Sequence, residues 1–206
     1  MGKKKKSIKL LLATKNQDKI KEIKKIFKQE DFDLVTMEEF NFPDVKEDLK
    51  SIEANAKKKA LETSRATGLT TIADDTGLFV STLKGKPGAQ AARFAGAHCT
   101  YRDNRIKLLT YMKGKINRKA EFRTVVALAG TDGIIAITVG VVKGIITKEE
   151  VGSEGFGYDS IFRADETGRT FGEMNIAEKE MISHRGRAFR KMIPILKEYL
   201  NRSQYG

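Results

Sequence analysis

The chain has 206 residues, 40% hydrophobic and 32% charged, enough for one packed domain and too apolar for a disordered chain. Its 39 Lys and Arg against 27 Asp and Glu give a net charge of +12, which suits polyanions such as nucleotides or nucleic acid, or else marks a solvated cationic surface. The single cysteine, Cys99, excludes an intrachain disulfide and an all-Cys zinc site and fits a reducing cytosol; two histidines exclude a His-rich metal site.

In chain order, residues 1–7 read as a basic N-terminal extension with a run of lysines from Lys3 to Lys6. The apolar stretch behind it, Leu10 to Ala13, is too short for a signal-peptide core, so a cytoplasmic protein is expected. Ile8 to Thr14 reads as a buried strand, and Asp18 to Gln29 as a helix with Ile20, Ile23, Ile26 and Phe27 at helical spacing. Leu34 to Thr36 is a short strand, followed by an acidic loop from Met37 to Leu49. Ser51 to Ala66 reads as a helix closed by Gly68, and Lys57, Lys58 and Lys59 are placed on its solvated face. A strand from Leu69 to Ala73 is predicted to end at Asp74-Asp75, and Leu78 to Val80 resumes an extended run. Lys84 to Gly96 is a Gly/Pro/Ala-rich loop and Arg102 to Met112 a helix. Ala120 to Ala129 and Gly133 to Lys143 form a hairpin turning at Asp132-Gly133. Gly152 to Gly157 is a glycine-rich loop, and a last helix runs from about Ser183, its N-cap, to Leu200, with Pro194 predicting a kink or break. The longest apolar region, Gly133 to Thr147, is interrupted by Lys143 and falls short of the ~18 residues of a membrane helix. Strands alternating with helices, plus one long hairpin, imply an α/β domain with a mixed sheet.

Five constellations carry possible chemistry. Thr14-Lys15-Asn16-Gln17-Asp18-Lys19 is a polar turn opening a helix, either a phosphate grip using free helix N–H groups or an ordinary capped start. At Asp74-Asp75-Thr76-Gly77, adjacent carboxylates meet desolvation and mutual repulsion that a divalent cation would offset; an exposed tight turn is the alternative. Glu47 from the acidic loop is the expected second metal ligand, with Asp44 in reserve. Arg93, among small residues, offers a bidentate phosphate contact. In Gly155-Phe156-Gly157-Tyr158-Asp159, Phe156 offers a flat face for a base and Asp159 an acceptor for ring N–H groups. Lys179 and Ser183-His184-Arg185-Gly186 gather donors at a helix start, where the dipole disfavours cations and an anionic or carbonyl-bearing partner would compensate.

Taken in this order, these five motifs resemble the inosine/xanthosine triphosphate pyrophosphatases across nearly the whole chain after the lysine run. Ile52 to Ala56 also resembles the bacterial pattern of that family. The chain departs from it at Lys15, Thr76, Gln90 and Ser160, which bears on substrate fine-tuning. The resemblance implies an elongated central mixed sheet flanked by helices. It implies one two-lobed domain over residues 8–203, with the nucleotide in the cleft between lobes, and a homodimer. It further implies magnesium-dependent hydrolysis of non-standard purine nucleoside triphosphates (ITP, dITP, XTP) to the monophosphate and pyrophosphate. Asp75 and Glu47 would hold Mg2+, Asp75 would also activate water, and Asp74 would assist. Thr14, Asn16, Lys19 and Arg93 would grip the triphosphate, Phe156 would stack on the base, and Lys179, His184 and Arg185 would face its 6-position. A related enzyme acting on pyrimidine or modified nucleotides is one alternative; a nucleic-acid-binding module is another, disfavoured by 8% aromatic content and the absence of tryptophan.

Overall fold

The computed structural model describes residues 9–28, 30, 32–40 and 45–203. The basic extension and Asp44 lie outside the described residues. Strand β1 (Lys9–Leu12) leads into helix α1 (Gln17–Phe27), then β2 (Asp33–Thr36), α2 (Ile52–Thr67), β3 (Thr71–Val80) and β4 (Pro87–Gly88). Helix α3 (Tyr101–Tyr111), the hairpin β5 (Lys119–Gly130) and β6 (Gly133–Ile146), β7 (Phe162–Ala164), α4 (Ile176–Ile182) and α5 (His184–Ser203) follow. The result is the α/β architecture expected, a seven-stranded mixed sheet in the order β2-β1-β3-β5-β6-β7, with β4 set against β3.

Local chemistry sets most of the boundaries. Asn16 Oδ1 accepts from the N–H groups of Asp18 and Lys19 and starts α1. Ser51 Oγ accepts from Ala54 N, and Gly68 at φ 73° closes α2 in a left-handed conformation that glycine takes freely. Thr100 and Asp103 form a capping box that starts α3 at Tyr101. The short helix α4 was not expected; Asn175 and Glu178 form its capping box, a sequence signal that was there to be read. Ser183 Oγ accepts from Gly186 N, as expected of an N-cap. Helix α5 does not break at Pro194: buried Phe189, Met192, Ile193 and Leu196 pack it onto the core on both sides of the proline.

Side-chain alternation in the central strands assigns each residue to a layer. Leu10, Leu12, Ile72, Val126 and Leu128 pack against Ile20, Ile23 and Phe27 of α1 and Phe189, Met192 and Leu196 of α5. Leu11, Ala73, Val125 and Ala127 pack on the opposite face against Ile52, Ala56 and Ala60 of α2. A third cluster, with Leu78, Val80, Phe122, Val142 and Phe162, fills the far ends of β3, β5 and β6.

Strand β3 does not end at the aspartates. It runs through them in register with β5, Asp74 opposite Val126 and Asp75 opposite Val125. On its other edge, β1 pairs with Thr71 and Ile72, and β4 with Leu78 and Phe79. Neither strand reaches residues 73–77 on that edge, and this interruption of the sheet is where the cleft opens. Gly140 of β6 lets α5 approach: a Cβ there would lie 2.0 Å from His184 O and 2.6 Å from Ala188 N. That contact holds the start of α5 over the sheet.

Candidate functional site

A cleft of about 460 Å³ opens at this interruption. Of the residues singled out in the sequence, its lining gathers Thr14, Lys15, Asn16, Lys19, Glu47, Asp75, Thr76, Arg93, Phe156, Gly157, Tyr158, His184 and Arg185. Gln17, Asp18, Asp74, Asp159 and Lys179 are not in its lining: the last three are buried, while Gln17 is exposed and Asp18 half-buried. Gln17 donates to Glu38, and Asp18 accepts from the Tyr101 hydroxyl.

The adjacent aspartates do not face each other. Successive strand residues point to opposite faces, so Asp74 turns toward α1 and α5 and Asp75 toward α2. Asp74 is fully buried; its Oδ2 lies 3.0 Å from Lys19 Nζ and 3.4 Å from Arg185 Nε. Burial alone would raise its carboxyl, but Lys19, Arg185 and Lys59 together hold it well below the usual carboxylate range. Its Oδ1 is buried without a hydrogen-bond partner. Asp75 accepts from Asn55 Nδ2 at 2.9 Å and from Thr76 N at 2.8 Å. Burial and then the neighbouring Glu47 push its carboxyl up to about 6, against the pull of Lys19 and Lys59. Burial also opposes ionisation of Glu47, but Lys59 and Lys19 keep it below its ordinary value. The expected repulsion is therefore real but falls between Asp75 and Glu47, not between Asp74 and Asp75.

Lys59 corrects the reading of α2 as carrying only solvated lysines. It is 6% exposed, pairs with Glu47 and donates to the main-chain oxygen of Asp74. Ile72 O accepts from Ala13 N along this edge; two residues on, where no strand follows, Lys59 takes the carbonyl instead. Of the two readings of the turn at Thr14 to Lys19, a phosphate grip or a capped helix start, the cap is present: Asn16 Oδ1 accepts from the N–H groups of Asp18 and Lys19. In that corner the cleft is lined by Thr14, Lys15 and Lys19, the last paired with Asp74. Arg93 donates to Glu47 O and ties the small-residue loop to the acidic one.

At the other end, Glu22 of α1, not singled out in the sequence, is 8% exposed and pairs with both Lys179 and Arg185. Burial opposes its ionisation, but those two cations win and lower its value. Lys179 also pairs with Asp159, whose Oδ2 accepts from Phe156 N. Gly155, at φ 73°, permits that turn, since a Cβ there would sit 2.1 Å from Asp159 Oδ2. Lys179 and Asp159, expected from the sequence to face a base, are thus engaged with each other and with Phe156, outside the residues that line the cleft. His184 is buried, stacks on Phe122 at 4.4 Å between ring centroids, and leaves Nδ1 without a hydrogen-bond partner. Burial first, then Arg185 and Lys179, keep it far below its ordinary value, so its ring is neutral near pH 7. Tyr101 and Asn104 of α3 also line the cleft and were missed.

Residues 10–195 match the Ham1 family. A protein of Desulforamulus reducens named dITP/XTP pyrophosphatase is 42% identical over 192 residues, 92% of this chain and 96% of its own length. One of the same name from Caldanaerobacter subterraneus is 41% identical over 198 residues, 94% and 96% of the two chains. Among solved structures, a HAM1 protein from Coxiella burnetii superposes with a TM-score of 0.85 at 33% identity, covering 93% of this chain and 99% of that one. The Staphylococcus aureus Ham1 protein gives 0.83 at 33% identity, with the same coverage.

Proposed function

The chain belongs to the Ham1 family, and from the geometry of its cleft we propose that it is a nucleoside triphosphate pyrophosphatase acting on dITP, XTP and ITP. The observation that carries the reading is one cleft with lysines and the carboxylates of Asp75 and Glu47 at one end and Phe156, His184 and Arg185 at the other. That layout matches a triphosphate joined to a flat, keto-bearing base.

Water attacks a phosphorus of the triphosphate, the bridging P–O bond breaks, and the monophosphate and pyrophosphate leave. Such transfers need positioning and charge neutralisation more than covalent help. Lys19, Lys59, Lys15 and Arg93 supply positive charge along the chain of phosphates. Asp75, with a carboxyl raised to about 6, is ionised near neutral pH yet basic enough to take a proton from water. Asn55 and Thr76 N fix its two oxygens. Asp74, locked between Lys19 and Arg185, links the phosphate end of the cleft to the base end.

Among the described residues no group of three or more His, Cys, Asp and Glu could cage a metal. Magnesium needs no such cage: it is commonly held by one or two carboxylates with substrate phosphates and water. Asp75 and Glu47 fit it, because the proton affinity of Asp75 comes from burial and from the Glu47 charge, which a divalent cation would relieve. Bound there, Mg2+ would neutralise phosphate charge and favour the ionised form of Asp75.

Hypoxanthine and xanthine present a carbonyl at position 6, whereas adenine presents an amino group. Arg185, pinned by Glu22, Asp74 and Thr76, faces the cleft as a donor that cannot turn away. A donor left unpaired against an amino group costs ~1–3 kcal/mol, which disfavours ATP. The same reading extends to a two-lobed homodimer in the cytoplasm, and ultracentrifugation is expected to give a molecular mass twice that of one chain; a monomer mass would overturn that part. Among the described residues no helix is long and apolar enough to cross a membrane. The test is pyrophosphate release from ITP, dITP, XTP, GTP, ATP and dTTP with and without magnesium. Magnesium-dependent release from the first three is expected; no release from any would overturn the assignment.

A further inference from the structure

Tyr101, the first residue of α3, reaches across the cleft to α1. Its hydroxyl donates to Asp18 Oδ2 and accepts from Asn16 Nδ2, each at 3.1 Å, joining segments more than 80 residues apart. Its ring lies 5.8 Å from the Phe156 ring, centroid to centroid, tilted by 44°. Phe156 is itself braced: buried Lys179, outside the cleft wall, has Nζ 4.8 Å from its centroid, and Asp159 holds its main-chain N–H. Tyr101 is 38% exposed, and these two hydrogen bonds are solvent-exposed.

We propose that Tyr101 is the second aromatic wall of the base pocket, a movable jaw opposite the fixed Phe156, closed across the cleft rim by its hydroxyl. The proposal rests on the nucleotide reading above. Two rings gripping a planar base need about 7 Å between them, twice the ~3.5 Å contact distance. At 5.8 Å and tilted by 44°, the pair admits a purine once Tyr101 moves outward by ~1 Å and its ring turns toward parallel with Phe156. Exposed hydrogen bonds are weak net contributors, so that swing meets little resistance, whereas Phe156 is held from behind. Stacking reads the face of a base and not its edge. The Tyr101 jaw therefore adds affinity for any purine and leaves the choice among purines to Arg185.

The experiment compares wild type, Tyr101→Ala and Tyr101→Phe by calorimetry, with inosine monophosphate and inorganic tripolyphosphate as separate probes. Tyr101→Ala is expected to weaken inosine monophosphate about tenfold, the loss of one base–aromatic stack. Tyr101→Phe should recover most of that loss. Tripolyphosphate, which has no base, should bind both variants as it binds wild type and so reports an intact cleft. Unchanged monophosphate affinity in Tyr101→Ala, equal weakening of both probes, or a Tyr101→Phe variant as weak as Tyr101→Ala would overturn the jaw. A wild-type protein that binds tripolyphosphate but no purine monophosphate would overturn the nucleotide reading itself, and the jaw with it.

Discussion

Replacing Asp75 with Asn should abolish hydrolysis and yet make the metal-free protein more stable. The Asp75 carboxyl sits at about 6 in the fold against an ordinary 3.8, so ionising it is harder in the folded chain than in the unfolded one. The stability this group contributes is therefore present below pH 3.8 and is lost as pH rises through about 6. At ~1.36 kcal/mol per pH unit, that gap is ~3 kcal/mol of strain at neutral pH, which an amide does not carry. An Asn keeps an oxygen for Thr76 N but turns an N–H toward the Asn55 amide that now donates to Asp75, forfeiting a hydrogen bond worth ~1 kcal/mol. The net gain is ~2 kcal/mol, or ~4–8 °C in melting temperature for a chain of this size. Melting curves of wild type and Asp75→Asn in chelator, at about pH 4 and about pH 7.5, measure it. The variant should be the more stable at the higher pH and not at the lower one. Magnesium should raise the wild-type melting temperature and leave the variant unmoved. A variant less stable than wild type at the higher pH would refute the claim that Asp75 is held under electrostatic strain.

Lys59→Met removes the cation shared by Glu47 and the Asp74 carbonyl; kcat/KM should fall about 10²-fold. Because Lys59 also pulls the Asp75 carboxyl down, the acid limb of the pH–rate profile should move to higher pH. An unmoved limb would remove Lys59 from the electrostatics of the site. Arg185→Lys keeps a charge beside Glu22 and Asp74 but loses the planar fork, so the ITP-over-ATP preference should shrink in rate assays. Lysine is the better probe here, because Arg185→Ala would strand buried carboxylates at ~3–5 kcal/mol. An unchanged ratio would exclude Arg185 from base recognition. Gly140→Ala puts a methyl group into the start of α5 and should cost ~1–3 kcal/mol of stability by thermal melting.

The order of elements was legible in the sequence wherever the signal was local. Asn16, Ser51, Gly68 and Ser183 are caps that fix their helix ends by contacts within a few residues. What was misread depended on partners distant in the chain. A strand carrying two consecutive carboxylates is implausible until Lys19, Lys59 and Arg185 arrive from three other helices, so β3 was expected to stop where it runs on. Lys59 looked like one of three surface lysines, yet it follows Ile52 and Ala56 at helical spacing and shares their buried face with Ala60. Glu22 likewise sits beside Ile23 on the buried face of α1, and its need for Lys179 and Arg185 spans more than 150 residues. The site motifs were recognisable because the cleft draws on many segments, each with its own short pattern. Partners were harder: nothing local in the sequence shows that Asp159 and Lys179 pair with each other behind Phe156.

The central claim is that this cleft splits a nucleoside triphosphate into monophosphate and pyrophosphate, with a preference set at the 6-position of the purine. Phosphorus NMR of purified protein with magnesium and dITP, and in parallel with dATP, tests it most directly. The account predicts dIMP and pyrophosphate as the products, with dITP turned over at least about fivefold faster per unit concentration, the lower end of what one mismatched donor costs. Orthophosphate with dIDP, or equal turnover of dATP, would contradict it.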